Sequence, residues 1–198
     1  IAEECSFDLS DYHWIKRLDL IIQTDWKFFY DNSVECYHCP SMHSRTLNTL
    51  YEARSFDDIK WHGYIRKAQA QLKNSDQEHH TIQLFPGTYL VMDPVIGIVG
   101  RFYPSGPGQT KLEFHFLAPA TSAKCESEHF AEIWCQTMRE DCEIVEAQAD
   151  GFKAIDHGYF VSKPEASVIG VQLLILDAYL QAVSPKIQTN GKADAIVS

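Results

Sequence analysis

The chain is short of positive charge. Its 198 residues carry 17 Lys and Arg against 27 Asp and Glu, a formal net charge of -10. Binding to a nucleic-acid backbone needs clustered cations that displace counterions, so this balance argues against nucleic acid as a partner. Acidity suits solubility, a cationic substrate or a basic protein partner. No stretch approaches the roughly 20 apolar residues of a membrane span. The opening "IAEECSFDLSD" lacks the basic start and apolar run of a secretion signal, so a cytoplasmic protein without membrane contact is expected. Cysteine is too sparse, at six residues, for a disulfide scaffold, and such thiols are more often buried or metal-bound. There is no internal repeat and no low-complexity tract. The first residue is Ile rather than Met, which suggests a segment of something longer.

What is present suffices for one compact domain: 45% hydrophobic and 12% aromatic residues. Residues 16–30 read as a strand leading into "ECYHCPSMH" at 35–43, and "SMHSRTLNTLYEARS" carries a helical turn or two. Residues 81–118 have short β-branched and aromatic runs cut by Pro and Gly, the pattern of antiparallel sheet. Leu112, Phe114 and Phe116 alternate there with Lys111, Glu113 and His115 after a turn at "SGPG". A long helix is expected over 127–152, with Ser127 as N-cap and Gly151 as the stop, and a second over 165–183. The tail 185–198 has no periodicity and is expected to be loose.

On the 127–152 helix, Phe130, Ile133, Trp134, Thr137, Met138, Ile144, Val145 and Gln148 fall within an arc of roughly 140°, opposite Glu132, Arg139, Glu143 and Glu146. Asp141 lies inside the apolar arc. A carboxylate taken out of water needs a cation, a metal or dense hydrogen bonding. An ion pair with a core Arg or a bond to a Tyr would satisfy it without further function.

"ECYHCPSMH" admits several readings. Cys36 and Cys39 form a C-x-x-C, but structural zinc commonly uses two such pairs, and Cys125, Cys135 and Cys142 do not supply a second. A redox dithiol wants a thioredoxin-like α/β context that is lacking here. Taken singly, His38 and His43 read as ordinary core or surface histidines. Joined with Asp141, they make two imidazoles and one carboxylate, the facial triad that leaves positions open on iron(II).

"DWKFFYDNSVECYHCPSMH" resembles the signature of the catalytic domain of Rieske non-heme iron oxygenase α subunits. Trp26 and Lys27 match its Trp-Lys pair, Asp31 and Asn32 its acidic-Asn pair, Glu35 its acidic position, and His38 and His43 its two iron ligands. "REDCEIVEAQADGF" resembles the segment that bears the third ligand, at Asp141, though Gln148 to Gly151 has one residue more than the usual spacing. Asp25 departs from the family's Asn. Weaker likeness extends through "FPGTYLVM" and "GPGQT".

The resemblance implies an α+β helix-grip fold: a curved antiparallel sheet packed on a long C-terminal helix, over residues 1–184. It implies mononuclear iron(II) on His38, His43 and Asp141, with dioxygen and a small organic substrate beside it. Glu35 would bridge to a Rieske-cluster histidine of a neighbouring subunit, and Asn32 would support the ligands from behind. The [2Fe-2S] Rieske cluster needs a C-x-H and a C-x-x-H. Cys36 to His38 is the C-x-H in view, and it overlaps the iron motif, so the cluster is expected on a missing domain or another chain. Electrons would come from NAD(P)H through a separate reductase or ferredoxin, and the assembly would be a homotrimer. The substrate would be aromatic or, as "ECYHC" suggests, a quaternary ammonium compound such as carnitine, choline or a betaine, with Trp14, Trp61, Phe85, Tyr89, Phe114 and Phe116 available for the pocket. The same fold also serves as a metal-free small-molecule carrier, which predicts His38, His43 and Asp141 far apart.

Overall fold

From Gln109 to Pro119 every second side chain turns inward, and Leu112, Phe114 and Phe116 are completely buried. Period-2 burial of this kind makes a strand with one face on the core. Each such side chain contributes about 1.5–3 kcal/mol of hydrophobic stabilisation. The computed structural model describes residues 9–52, 60–152 and 166–183. In it this strand, β7, belongs to one antiparallel sheet with β1 (Tyr12–Ile22), β2 (Lys60–His62), β3 (Ile65–Gln71), β4 (Glu78–Leu84), β5 (Thr88–Met92) and β6 (Gly97–Gly106). The order is β1-β7-β6-β5-β4-β3-β2, so the first strand closes beside the last and the rest follow as a meander.

Helices lie on one side: α1 (Trp26–Val34), α2 (Cys39–Met42), α3 (Leu47–Leu50), α4 (Lys124–Phe152) and α5 (Ala166–Val183). The 29-residue α4 packs against β1, β7, α1 and α3. Ala131, Trp134, Cys135, Met138, Cys142 and Val145 recur at helical spacing along its buried face. A sheet gripping one long helix is the expected helix-grip architecture.

Several expectations are corrected. The strand expected over 16–30 stops at Ile22, and residues from Trp26 are helical. The Asp25 carboxylate accepts from the Lys27 backbone N–H at 3.0 Å and so caps α1. This capping also absorbs the departure from Asn at that position. Strand β3 was not foreseen, because its inward residues are Arg66, Ala68 and Ala70 rather than large apolar ones. Helix α4 begins three residues before Ser127, whose hydroxyl donates to the Val95 carbonyl at 2.8 Å instead of capping. Gln148, placed by periodicity on the core arc, is exposed.

Helix α5 also revises the sequence reading. By length and composition, with mean hydropathy 1.6, it could cross a membrane, and only 11% of it is buried. Leu173, Leu176, Tyr179, Leu180 and Val183 are exposed along it. The tail 185–198 lies outside the described residues.

Candidate metal centre

Helix α1 ends at Val34, and Glu35 continues in extended conformation. A turn follows in which the Cys39 N–H reaches the Cys36 carbonyl at 3.2 Å, and α2 starts with Pro40 in its first turn. His38 precedes α2 and His43 closes it. One short helix thus brings two imidazoles face to edge, with centroids 5.1 Å apart and planes at 75°.

The third member comes from α4. Asp141 Oδ1 is 3.0 Å from His43 Nε2 and 3.4 Å from His38 Nε2, and the two Nε2 atoms are 3.2 Å apart. The sequence-predicted trio therefore converges, against the separation that the metal-free carrier reading requires. Among the described residues, neither an Arg ion pair nor a Tyr hydroxyl satisfies Asp141. Its Oδ1 instead accepts from the Asn32 amide at 2.8 Å, so Asn32 holds the same oxygen that faces the two imidazoles.

Both imidazoles are held from the other side. His38 Nδ1 is hydrogen-bonded to Glu35, and His43 Nδ1 lies 2.8 Å from Glu140, which also accepts from the Thr46 hydroxyl at 2.7 Å. A carboxylate on Nδ1 fixes the tautomer and leaves the Nε2 lone pair free for a metal. Glu35 is buried, with its other oxygen taking the Tyr37 N–H at 2.8 Å. Glu140 and Thr46 were missed in the sequence. The position of Glu140, immediately before Asp141, was the available signal.

The electrostatics match. Burial opposes charge on His38, but hydrogen bonds to Asp141 and Glu35 outweigh it and push the pKa up to about 10. Burial likewise opposes ionisation of Asp141, yet bonds from His38 and His43 hold its pKa down at about 2. Without a metal, protons on the imidazoles compensate the carboxylate.

Donor spacing tests whether a metal fits. Bonds of about 2.1 Å at right angles separate neighbouring ligand atoms by about 3.0 Å, which is close to the three distances above. Cys39 also comes within reach, its sulfur 3.9 Å from His38 Nε2, so that His38, Cys39 and His43 form a second conceivable donor set. The carboxylate is nearer than the thiol, and Cys39 Sγ is already engaged at 3.0 Å with Cys36 Sγ.

Phe29, Tyr89, Phe102, Phe114, Trp134 and Met138 give the adjoining cavity its apolar wall. Its volume is about 40 Å³, enough for water-sized or diatomic molecules. A larger substrate requires the walls to part. Of the aromatics singled out from sequence, Tyr89 and Phe114 line it. Phe116 is buried elsewhere in the core, Phe85 packs on Trp26 and Tyr30, Trp14 is exposed, and the Trp61 side chain lies outside the described residues. Behind the wall, Trp134 Nε1–H donates to the Tyr51 hydroxyl at 3.2 Å, and Tyr51 donates to buried Asp93 at 2.6 Å.

Comparison with known proteins agrees with the architecture. Residues 9–179 match the family model of the ring hydroxylating alpha subunit (catalytic domain). The chain belongs to this family. It is 23% identical over 165 residues to the carnitine monooxygenase oxygenase subunit of Escherichia coli (strain K12), covering 78% of this chain and 44% of that protein. The quaternary ammonium Rieske monooxygenase CntA in complex with γ-butyrobetaine superimposes with a TM-score of 0.69 at 19% identity, over 85% of this chain and 49% of that one. Dicamba monooxygenase bound to dicamba gives 0.67 at 14% identity, over 87% and 60%. At these identities the structural likeness speaks for the fold. The chain spans about half the length of the carnitine monooxygenase relatives.

Proposed function

We propose that this chain is the catalytic portion of a Rieske-type oxygenase α subunit, with one iron(II) held by His38, His43 and Asp141. The observation that carries the reading is the convergence of three ligand atoms whose backs are already committed. Glu35 and Glu140 occupy the two Nδ1 atoms, and Asn32 supports the carboxylate. Lone pairs aimed at one point repel unless protons or a cation sit between them. Two imidazoles and one carboxylate suit ferrous iron with open positions.

Bound there, the iron would activate dioxygen beside the substrate. The residues of this chain orient and enclose. The aromatic wall excludes water, and the Asn32 amide fixes the carboxylate rotamer. Glu35 holds the His38 ring and is the proposed bridge for electrons from a Rieske cluster on a neighbouring subunit. A carboxylate has about four lone-pair sites, so its bonds to His38 and the Tyr37 N–H leave capacity for that partner. The cluster, the NAD(P)H-linked reductase or ferredoxin, the homotrimer and the cytoplasmic location all belong to this proposal, as does a catalytic unit over 1–184.

Among substrates, a quaternary ammonium compound is favoured over an aromatic one. A trimethylammonium group is attracted to aromatic faces such as Trp134 and Tyr89, the chain is acidic, and the E. coli relative is a carnitine monooxygenase. Calorimetry on the iron-loaded chain tests this with γ-butyrobetaine and dicamba in parallel. Saturable heat with the betaine alone supports the assignment. Heat with dicamba alone moves the chain to the aromatic branch, and binding of neither contradicts the oxygenase reading.

A further inference from the structure

The geometry points to a reversible disulfide between Cys36 and Cys39, an oxidative modification site in the wall of the metal-ligand cavity. The two sulfurs lie 3.0 Å apart, in direct contact, and both residues line the cavity that His38, His43 and Asp141 face. The Cys39 N–H to Cys36 carbonyl bond closes an i to i+3 turn. Such a turn holds its end Cα atoms within about 7 Å, inside the range a disulfide spans. Moving the sulfurs to a bond length of about 2.05 Å takes about 1 Å of side-chain motion. The chain carries no second C-x-x-C to share a zinc ion with these thiols.

The oxidant this chemistry takes is a peroxide, small enough for a cavity of about 40 Å³. One thiolate attacks a peroxide oxygen, the O–O bond breaks, and a sulfenic acid and one water result. The second thiol then displaces the sulfenic oxygen as a second water and forms the S–S bond. In sum, two thiols and one hydrogen peroxide give one disulfide and two waters, the sulfurs losing two electrons to the peroxide. Cys39 is thereby withdrawn from the donors that surround His38, which leaves the carboxylate of Asp141 as the third ligand. The inference does not depend on iron, so it can fail while the oxygenase reading stands.

The test uses the metal-free chain and added hydrogen peroxide. Remaining thiols are alkylated and the protein digested with trypsin. Cleavage after Lys27 and Arg45 releases residues 28–45 with Cys36 and Cys39 as the only cysteines. The expected result is a peptide lighter by two hydrogens, restored by dithiothreitol, formed at least about tenfold faster than oxidation of the exposed Cys125. Cys39→Ser should abolish the mass loss and leave Cys36 trapped as a sulfenic acid. Thiols that stay fully alkylatable while Cys125 reacts would overturn the inference. So would separate over-oxidation of Cys36 and Cys39 without a link.

Discussion

Asp141 Oδ1 lies 3.0 Å from His43 Nε2, although 98 residues separate the two in sequence. The contact joins the short helix after α1 to the middle of α4, so the candidate centre is a tertiary feature rather than a local motif. Whatever loosens the seating of α4 on α1 and α3 should loosen the site.

Glu140 is the most direct probe of the support around the trio. Its carboxylate holds His43 Nδ1 and Thr46 together. Glu140→Ala should lower iron(II) affinity by about 10–100-fold, the usual cost of removing such a partner. Glu140→Gln, which can still accept from His43, should recover most of it. Anaerobic titration of both variants against the parent checks this, and equal losses in both would show that charge, not orientation, matters.

Asp31 sets a pH dependence of stability. Burial raises its pKa from 3.8 to about 7, partly offset by the hydrogen bond from Gln172, and its Oδ1 has no hydrogen-bond partner. The folded state therefore holds this proton more tightly than the unfolded one. The resulting contribution is fully present below about pH 4 and is lost as pH rises toward 7, with an upper bound of about 4 kcal/mol. Asp31→Asn should raise Tm at pH 8 and change it little at pH 4. Thermal melts at the two pH values decide, and an equal shift at both would refute the buried-carboxyl account.

Tyr51 links the cavity wall to the sheet through Trp134 and Asp93. Tyr51→Phe keeps the ring but leaves a buried indole N–H without its acceptor and removes the shorter of two contacts to Asp93 Oδ2, the other being His79 Nδ1 at 3.4 Å. A loss of about 1–3 kcal/mol is expected in urea unfolding, without change of m-value. No loss would mean that the network contributes shape alone.

Much of the site was legible in the sequence because its chemistry breaks local rules. Asp141 stood out as a carboxylate on an apolar helix face, and His38 and His43 as a spaced pair, and all three converge. Glu140 offered no signal beyond its place beside Asp141. Half-exposed beside a buried neighbour, it looks like any solvated helix residue until Thr46 and His43 are folded against it. The sheet was readable where large apolar residues alternate, as in β7, and unreadable in β3, where Arg66 points inward. Phe28, Phe29 and Tyr30 favoured a strand by type, yet the Asp25 cap commits them to a helix. The exposed apolar side of α5 is masked in one dimension because its composition matches a core helix.

The measurement closest to the central claim is the iron content of the chain after anaerobic reconstitution, beside His43→Ala, Asp141→Ala and the double variant Cys36→Ser/Cys39→Ser. The account predicts about one iron per chain in the parent and in the double serine variant, and loss in the other two. Iron that persists in Asp141→Ala, or a metal that disappears with the cysteines, would contradict it and point to ligation through Cys39.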